Sequence, residues 1–212
     1  MGESATGAAG LAAPKDDRES VYPLWLRLMH WANATAVIIL ILSGWRIYDA
    51  THFMFGFKIP PQYTLGGWLG GALQWHFALM WLFMGNAVVY LAVHIFNGRF
   101  KRQFLPLTPK LVLADLKSFL GGHLSHADIR QYNAVQKAAY LFAMADIVVL
   151  ILSGLVLWKS VQLPWLRELL GGYELARRIH FWAMSLMVGF IGVHVVMAVL
   201  VPRTIRAMIW GR

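Results

Sequence analysis

No cysteine occurs among the 212 residues. Its absence excludes disulfides, thiolate-held zinc or iron–sulfur centres, and haem attached through thioethers. Any redox chemistry must therefore rest on a cofactor held without a covalent bond. Charge is nearly as scarce, with 14% of residues charged and only 10 acidic side chains against 19 Lys and Arg. A soluble domain carries about 25% charged residues. The chain is instead 58% hydrophobic with a mean hydropathy of +0.55, which excludes an ordinary soluble domain and points to a chain that crosses a membrane several times. The net charge of +9 does not imply nucleic acid. The basic residues sit beside apolar runs, where lipid headgroups and membrane topology account for them. What is abundant is aromatic: 10 Trp, 7 Tyr and 12 Phe, as expected of interfaces and cofactor pockets.

Four apolar runs are long enough to span a hydrocarbon core about 30 Å thick. They cover Leu24–Tyr48, Leu69–Phe96, Ala134–Trp158 and Arg178–Pro202. The expected fold is all-α, an integral membrane four-helix bundle over residues 21–212, preceded by a flexible tail over residues 1–20. The connection 97–130 is polar and contains an amphipathic stretch at residues 107–120 suited to the membrane surface. Residues 203–212 read as a short basic tail. Four spans put both termini on one side. The N-terminal flank, the 97–137 connection and the C-terminal tail carry 13 of the 19 Lys and Arg, so the positive-inside rule predicts that both termini are cytoplasmic.

The fourth run carries His180 and His194 with no charged residue between them. Fourteen helical positions separate the rings by about 21 Å along the axis and only about 40° around it. One helix face thus presents an imidazole toward each side of the bilayer, where ionisable groups are costly and usually functional. The rest of the chain supplies partners through a weak two-fold repeat. LILSGWRIYD at 40–49 matches LILSGLVLWK at 150–159, and GGWLGGALQWHF at 66–77 matches GGYELARRIHF at 171–181 with one gap. The repeat sets His76 on His180, Gly44 on Gly154, His30 opposite Tyr140 and His194 opposite Tyr90. Two layers result, an outer one with His76 and His180 and an inner one with His30 and His194. Each layer suits a haem b held by two axial imidazoles, with Gly44 and Gly154 allowing close approach. Arg46 and Lys159 are candidates to neutralise outer propionates, and Arg27 and Lys137 inner ones.

RLMHW at 27–31 with the Ser-Gly after it, WHF at 75–77, YNAVQK at 132–137, and IHF followed by a second histidine fourteen residues later resemble a specific group. It is the bacterial di-haem cytochrome b family that includes the membrane subunits of formate dehydrogenase, nickel–iron hydrogenase and thiosulfate reductase, with the thiosulfate-reductase type most similar. The resemblance covers residues 22–212. It implies two haems b, electron exchange with the quinone pool, and a redox partner outside the bilayer, such as a molybdenum enzyme. It also implies a quinone site beside the inner haem at Asn133, Gln136 and Lys137, with Val135 standing where the family has glycine.

Other residues are less tightly placed. His94 lies on the face of His76 and competes with His30 as a ligand, although a surface position is the simpler expectation. Asp146 sits mid-span on a different face from the haem layers; a proton path, a subunit contact and a bond to a neighbouring helix are all open. His52, His123 and His126 fall in loops, and the outer loop with Tyr173, Glu174, Arg177 and Arg178 is a docking candidate. Two other functions fit parts of the pattern. One is a self-sufficient superoxide:quinone oxidoreductase, with Arg46, Lys58 and Lys159 steering the anion. The other is a haem-free proton relay or transporter using the histidines and Asp146.

Overall fold

The computed structural model describes residues 20–51, 53–121 and 132–211. Residues 1–19, His52, His123 and His126 lie outside them. The described secondary structure is entirely helical: α1 Leu24–Tyr48, α2 Leu69–Phe96, α3 Arg99–Phe104, α4 Pro109–Leu120, α5 Ala134–Lys159, α6 Pro164–Leu169, α7 Tyr173–Leu200 and α8 Pro202–Trp210, with a 3-10 turn at Pro61–Tyr63. Helices α1, α2, α5 and α7 are long and apolar enough to cross a membrane. At ~1.5 Å per residue the shortest, α1 with 25 residues, reaches about 37 Å.

Large apolar side chains cover the outside of these helices, including Val88, Phe96 and Val193. Such a surface is costly in water and at home in lipid. Inside, contact depends on small residues: Ala36, Ser43, Ala72, Ser153 and Ala176 are all fully buried, and their short side chains let helix backbones approach. Helix α1 packs chiefly on α2, and α5 on α7, so the repeat seen in the sequence is a pair of helix pairs. The halves meet in a central apolar cluster built on Ala36, Val37, Ile41, Phe83 and Met187, with Ile147, Leu150 and Ile151 from α5 packed against it. Met187 lies midway between His180 and His194, which places this cluster between the two histidine levels.

Matched turns introduce α2 and α7. Gly66 and Gly67 have φ of 106° and 68°, and Gly171 and Gly172 have φ of 74° and 94°, backbone conformations that favour glycine. At Gly66 a Cβ would fall 2.3 Å from the Ala72 nitrogen, so the chain passes there only because the side chain is missing.

Two ends differ from the sequence reading. Helix α7 begins at Tyr173, five residues before the expected Arg178, because the turn at 171–172 starts it directly. Residues 202–210 are not a loose tail but a helix that docks on α1. Arg27 donates to the Ile209 carbonyl, Trp31 Nε1 donates to the Met208 carbonyl at 3.3 Å, and the Val21 amide donates to the Gly211 carbonyl at 2.8 Å. The surface helix α4 is also anchored, since Asp115 Oδ2 accepts from the Ala134 amide at 2.6 Å, an acidic group at the positive end of α5.

Candidate functional site: two facing pairs of histidines

His76 and His180 approach from the two halves with ring centroids 6.4 Å apart. His30 and His194 do the same at 6.1 Å. A metal–imidazole bond of about 2.0–2.1 Å, plus about 1.1 Å from ring nitrogen to ring centre on each side, sets two trans imidazoles about 6.2–6.4 Å apart. Both pairs therefore stand at the separation of two ligands sharing one metal. Among the described residues no three His, Asp or Glu side chains converge as a cage. Two protein nitrogens per level suit a metal that brings its other ligands in its own macrocycle.

The rings of the first pair are aimed by serines. Ser43 Oγ donates to the carbonyl of Ile39 at 2.7 Å and shares its proton with that of Leu40 at 3.1 Å. Ser153 repeats this on Val149 at 2.6 Å and Leu150 at 3.3 Å. A hydroxyl has one proton, so with that proton committed to a carbonyl its lone pairs remain to accept. Ser43 Oγ lies 3.0 Å from His76 Nδ1, and Ser153 Oγ 3.0 Å from His180 Nδ1. Each Nδ1 must then carry the hydrogen, which leaves Nε2 as the free lone pair of both rings. The glycine after each serine seats the imidazole. A Cβ at Gly44 would lie 3.6 Å from His76 Cε1, and one at Gly154 only 3.2 Å from His180 Cε1. These glycines thus make room for the histidine rings themselves, a tighter role than the expected clearance for a porphyrin edge.

The second pair is set by aromatics. Trp31 meets His30 edge-on at 5.2 Å, and Phe190 stacks on His194 at 5.8 Å with an 18° tilt. His30 Nδ1 is buried without a hydrogen-bond partner among the described residues. Asn86 Nδ2 donates to the Met29 carbonyl at 2.9 Å, tying α2 to the turn that carries His30. His94 is not at the surface: it is 3% exposed, gives Nδ1–H to the Tyr90 carbonyl at 2.9 Å, and stacks on the Tyr90 ring at 4.0 Å. Tyr90 is therefore engaged with His94, while Tyr140 packs on Tyr132 at 5.0 Å. Tyr132 and Tyr22, beyond the helix ends, are hydrogen-bonded to each other, and burial raises both phenols above the ordinary tyrosine range.

Of the remaining candidates, Asn133 and Gln136 form a reciprocal cap on α5. Asn133 Oδ1 accepts from the Gln136 amide at 2.7 Å, and Gln136 Oε1 from the Asn133 amide at 3.1 Å. Arg46 lines a cavity of about 410 Å³ with Asp49, Lys58 and Leu69. Lys159 places its ammonium 4.3 Å over the Trp158 ring. The Arg27 guanidinium holds the end of α8 through one nitrogen, while its Nε is buried without a partner among the described residues. Arg177 pairs with Glu174 at 2.6 Å and lies over the Phe53 ring. Asp146 faces a groove between α5 and α7 that Arg178 and Trp182 also line, and its Oδ2 is buried without a partner among the described residues.

The reading by residues missed Ser43 and Ser153 as orienting groups, and Asn86 altogether. The signal for the serines was present: each precedes the repeat's glycine, in both halves.

Two facing pairs of imidazoles carried inside a four-helix membrane bundle are the arrangement of a membrane-embedded cytochrome of the b type. The chain belongs to the prokaryotic cytochrome b561 family, whose family model matches residues 21–211. It is 62% identical over 192 residues, 91% of this chain and 96% of the relative, to a protein of Azospira oryzae described as a putative protein-methionine-sulfoxide reductase subunit YedZ1. It is accordingly a multi-pass membrane protein with b-type haem that transfers electrons. The relative's description names a methionine-sulfoxide reductase where the sequence alone had favoured the thiosulfate-reductase type.

Proposed function

We propose that the chain passes electrons between the quinone pool and a redox partner outside the membrane through two haems b, one held by His76 and His180 and the other by His30 and His194. The observation that carries this reading is the equal spacing of the two imidazole pairs, 6.4 and 6.1 Å, on histidines about 21 Å apart along one helix. Haem held there would supply reversible one-electron transfer, and two histidines holding each haem would favour electron transfer over ligand binding. The chain's own residues hold the imidazoles, fix their tautomer and keep the surroundings apolar.

The positive-inside pattern assigns both termini to the cytoplasm of a bacterial inner membrane, with the His30–His194 level on that side. The quinone site falls there, at the start of α5. The cap uses the oxygens of Asn133 and Gln136, so their NH2 groups remain as donors to a quinone carbonyl, beside the Lys137 cation. Arg46 and Lys159 stand at the opposite level as counter-charges for propionates. The partner in this reading is a reductase of protein-bound methionine sulfoxide of the molybdenum-enzyme class, and the description of the Azospira relative as a putative subunit of such a reductase supports the choice of substrate. Each sulfoxide reduced takes two electrons and two protons and releases water, so electrons run from quinol to the partner.

The test is reconstitution. Liposomes holding the purified cytochrome and a reduced quinol should reduce the haems and, with the partner added outside, turn over methionine sulfoxide in a peptide. Haem that quinol leaves oxidised would overturn the quinone assignment, and haem reduced by quinol but never reoxidised by the partner would overturn the partner assignment.

A further inference from the structure

The two histidine pairs differ in what lies behind them. His76 and His180 each have a serine oxygen 3.0 Å from Nδ1, and a backbone carbonyl, of Leu40 or Leu150, also within hydrogen-bonding reach of the ring. Both serines are fully buried and both have their own proton committed to a carbonyl one turn back, so each can only accept from the ring. Behind His30, Nδ1 has no partner among the described residues and is shut off from surroundings. The groups packed on the second pair are the carbon faces and edges of Trp31 and Phe190.

A hydrogen bond from Nδ1–H to an oxygen moves electron density toward Nε2 and makes the imidazole a stronger donor. A stronger axial donor stabilises the ferric over the ferrous state and lowers the reduction potential. The serine bond acts on both histidines of one level and, at the other, has no counterpart behind His30 among the described residues. Resting on the two-haem reading above, we infer that Ser43 and Ser153 are positioning residues that lower the reduction potential of the haem between His76 and His180, making it the lower-potential haem of the two. The repeat Ser-Gly thus has divided duties: glycine admits the ring, and the serine before it sets the ring's donor strength.

The experiment is a potentiometric titration of the full-length, haem-loaded protein in mild detergent, followed in the visible spectrum. Wild type should show two resolved components. Ser43→Ala and Ser153→Ala should each raise the lower component and leave the upper one unmoved, the double variant should raise it further, and Ser→Thr, which keeps the hydroxyl, should restore it. In a His30→Ala background, which keeps the His76–His180 haem, the same upward shift should appear in the surviving component. Should an alanine variant fail to retain that haem, Ser→Cys, similar in size with a weaker acceptor, makes the comparison and should give a smaller rise. An unmoved lower component, a downward shift, or movement of the upper component would overturn the serine assignment while leaving two haems in place. Wild-type protein without two low-spin haems would overturn the reading beneath it.

Discussion

A methyl group at Gly154 would press on His180 Cε1 from 3.2 Å, closer than ordinary contact, while one at Gly44 would meet His76 at 3.6 Å, an ordinary distance. Gly154→Ala should therefore lower haem retention at that level more than Gly44→Ala, and leucine at either position should abolish it; haem per protein by pyridine haemochrome measures this. His180→Ala should remove one haem and spare the other, halving the reduced-minus-oxidised signal. Loss of neither would refute the pairing. The histidines were legible from sequence because their periodicity and repeat leave few alternative partners. The serines' role was not, since a membrane serine bonded to its own helix is an ordinary packing device. Only the 3.0 Å approach of each to Nδ1 separates the two. The burial of His94 is hidden from the sequence for a similar reason. A histidine near a helix end looks exposed until Tyr90 and Trp25 are seen around it.

Among the elements, the start of α5 combines a cap with the proposed quinone donors, and the two roles separate by substitution. Asn133→Asp keeps the accepting oxygen and so the cap, but loses the NH2. It should hold thermal stability while slowing quinol oxidation. Asn133→Ala should slow quinol oxidation and also lower thermal stability, with a capping loss of about 1 kcal/mol. Slowed oxidation in the alanine variant alone would assign Asn133 to the cap only. On the same helix, Asp146 holds a buried oxygen without a partner among the described residues, a costly arrangement within hydrocarbon. Asp146→Leu should raise the melting temperature of the isolated protein and leave its visible spectrum unchanged; a lower melting temperature would contradict this. The spans themselves were plain from hydropathy. Helix α8 was not, because its partners Arg27 and Trp31 lie at the other end of the chain, and no local pattern announces contacts across that separation.

For the whole molecule, two helix pairs joined by a central apolar cluster keep the two facing histidine pairs apart, as the proposed pair of haems requires. Reporter fusions should place both termini in the cytoplasm, and a periplasmic signal at either would reverse the assignment of levels. The central claim is that four imidazoles hold two haems, and haem quantitation with low-temperature EPR on the purified full-length protein tests it most directly. The account predicts two haems b per chain, both low-spin with bis-imidazole signals. A single haem per chain, or a high-spin iron with a free axial position, would contradict it.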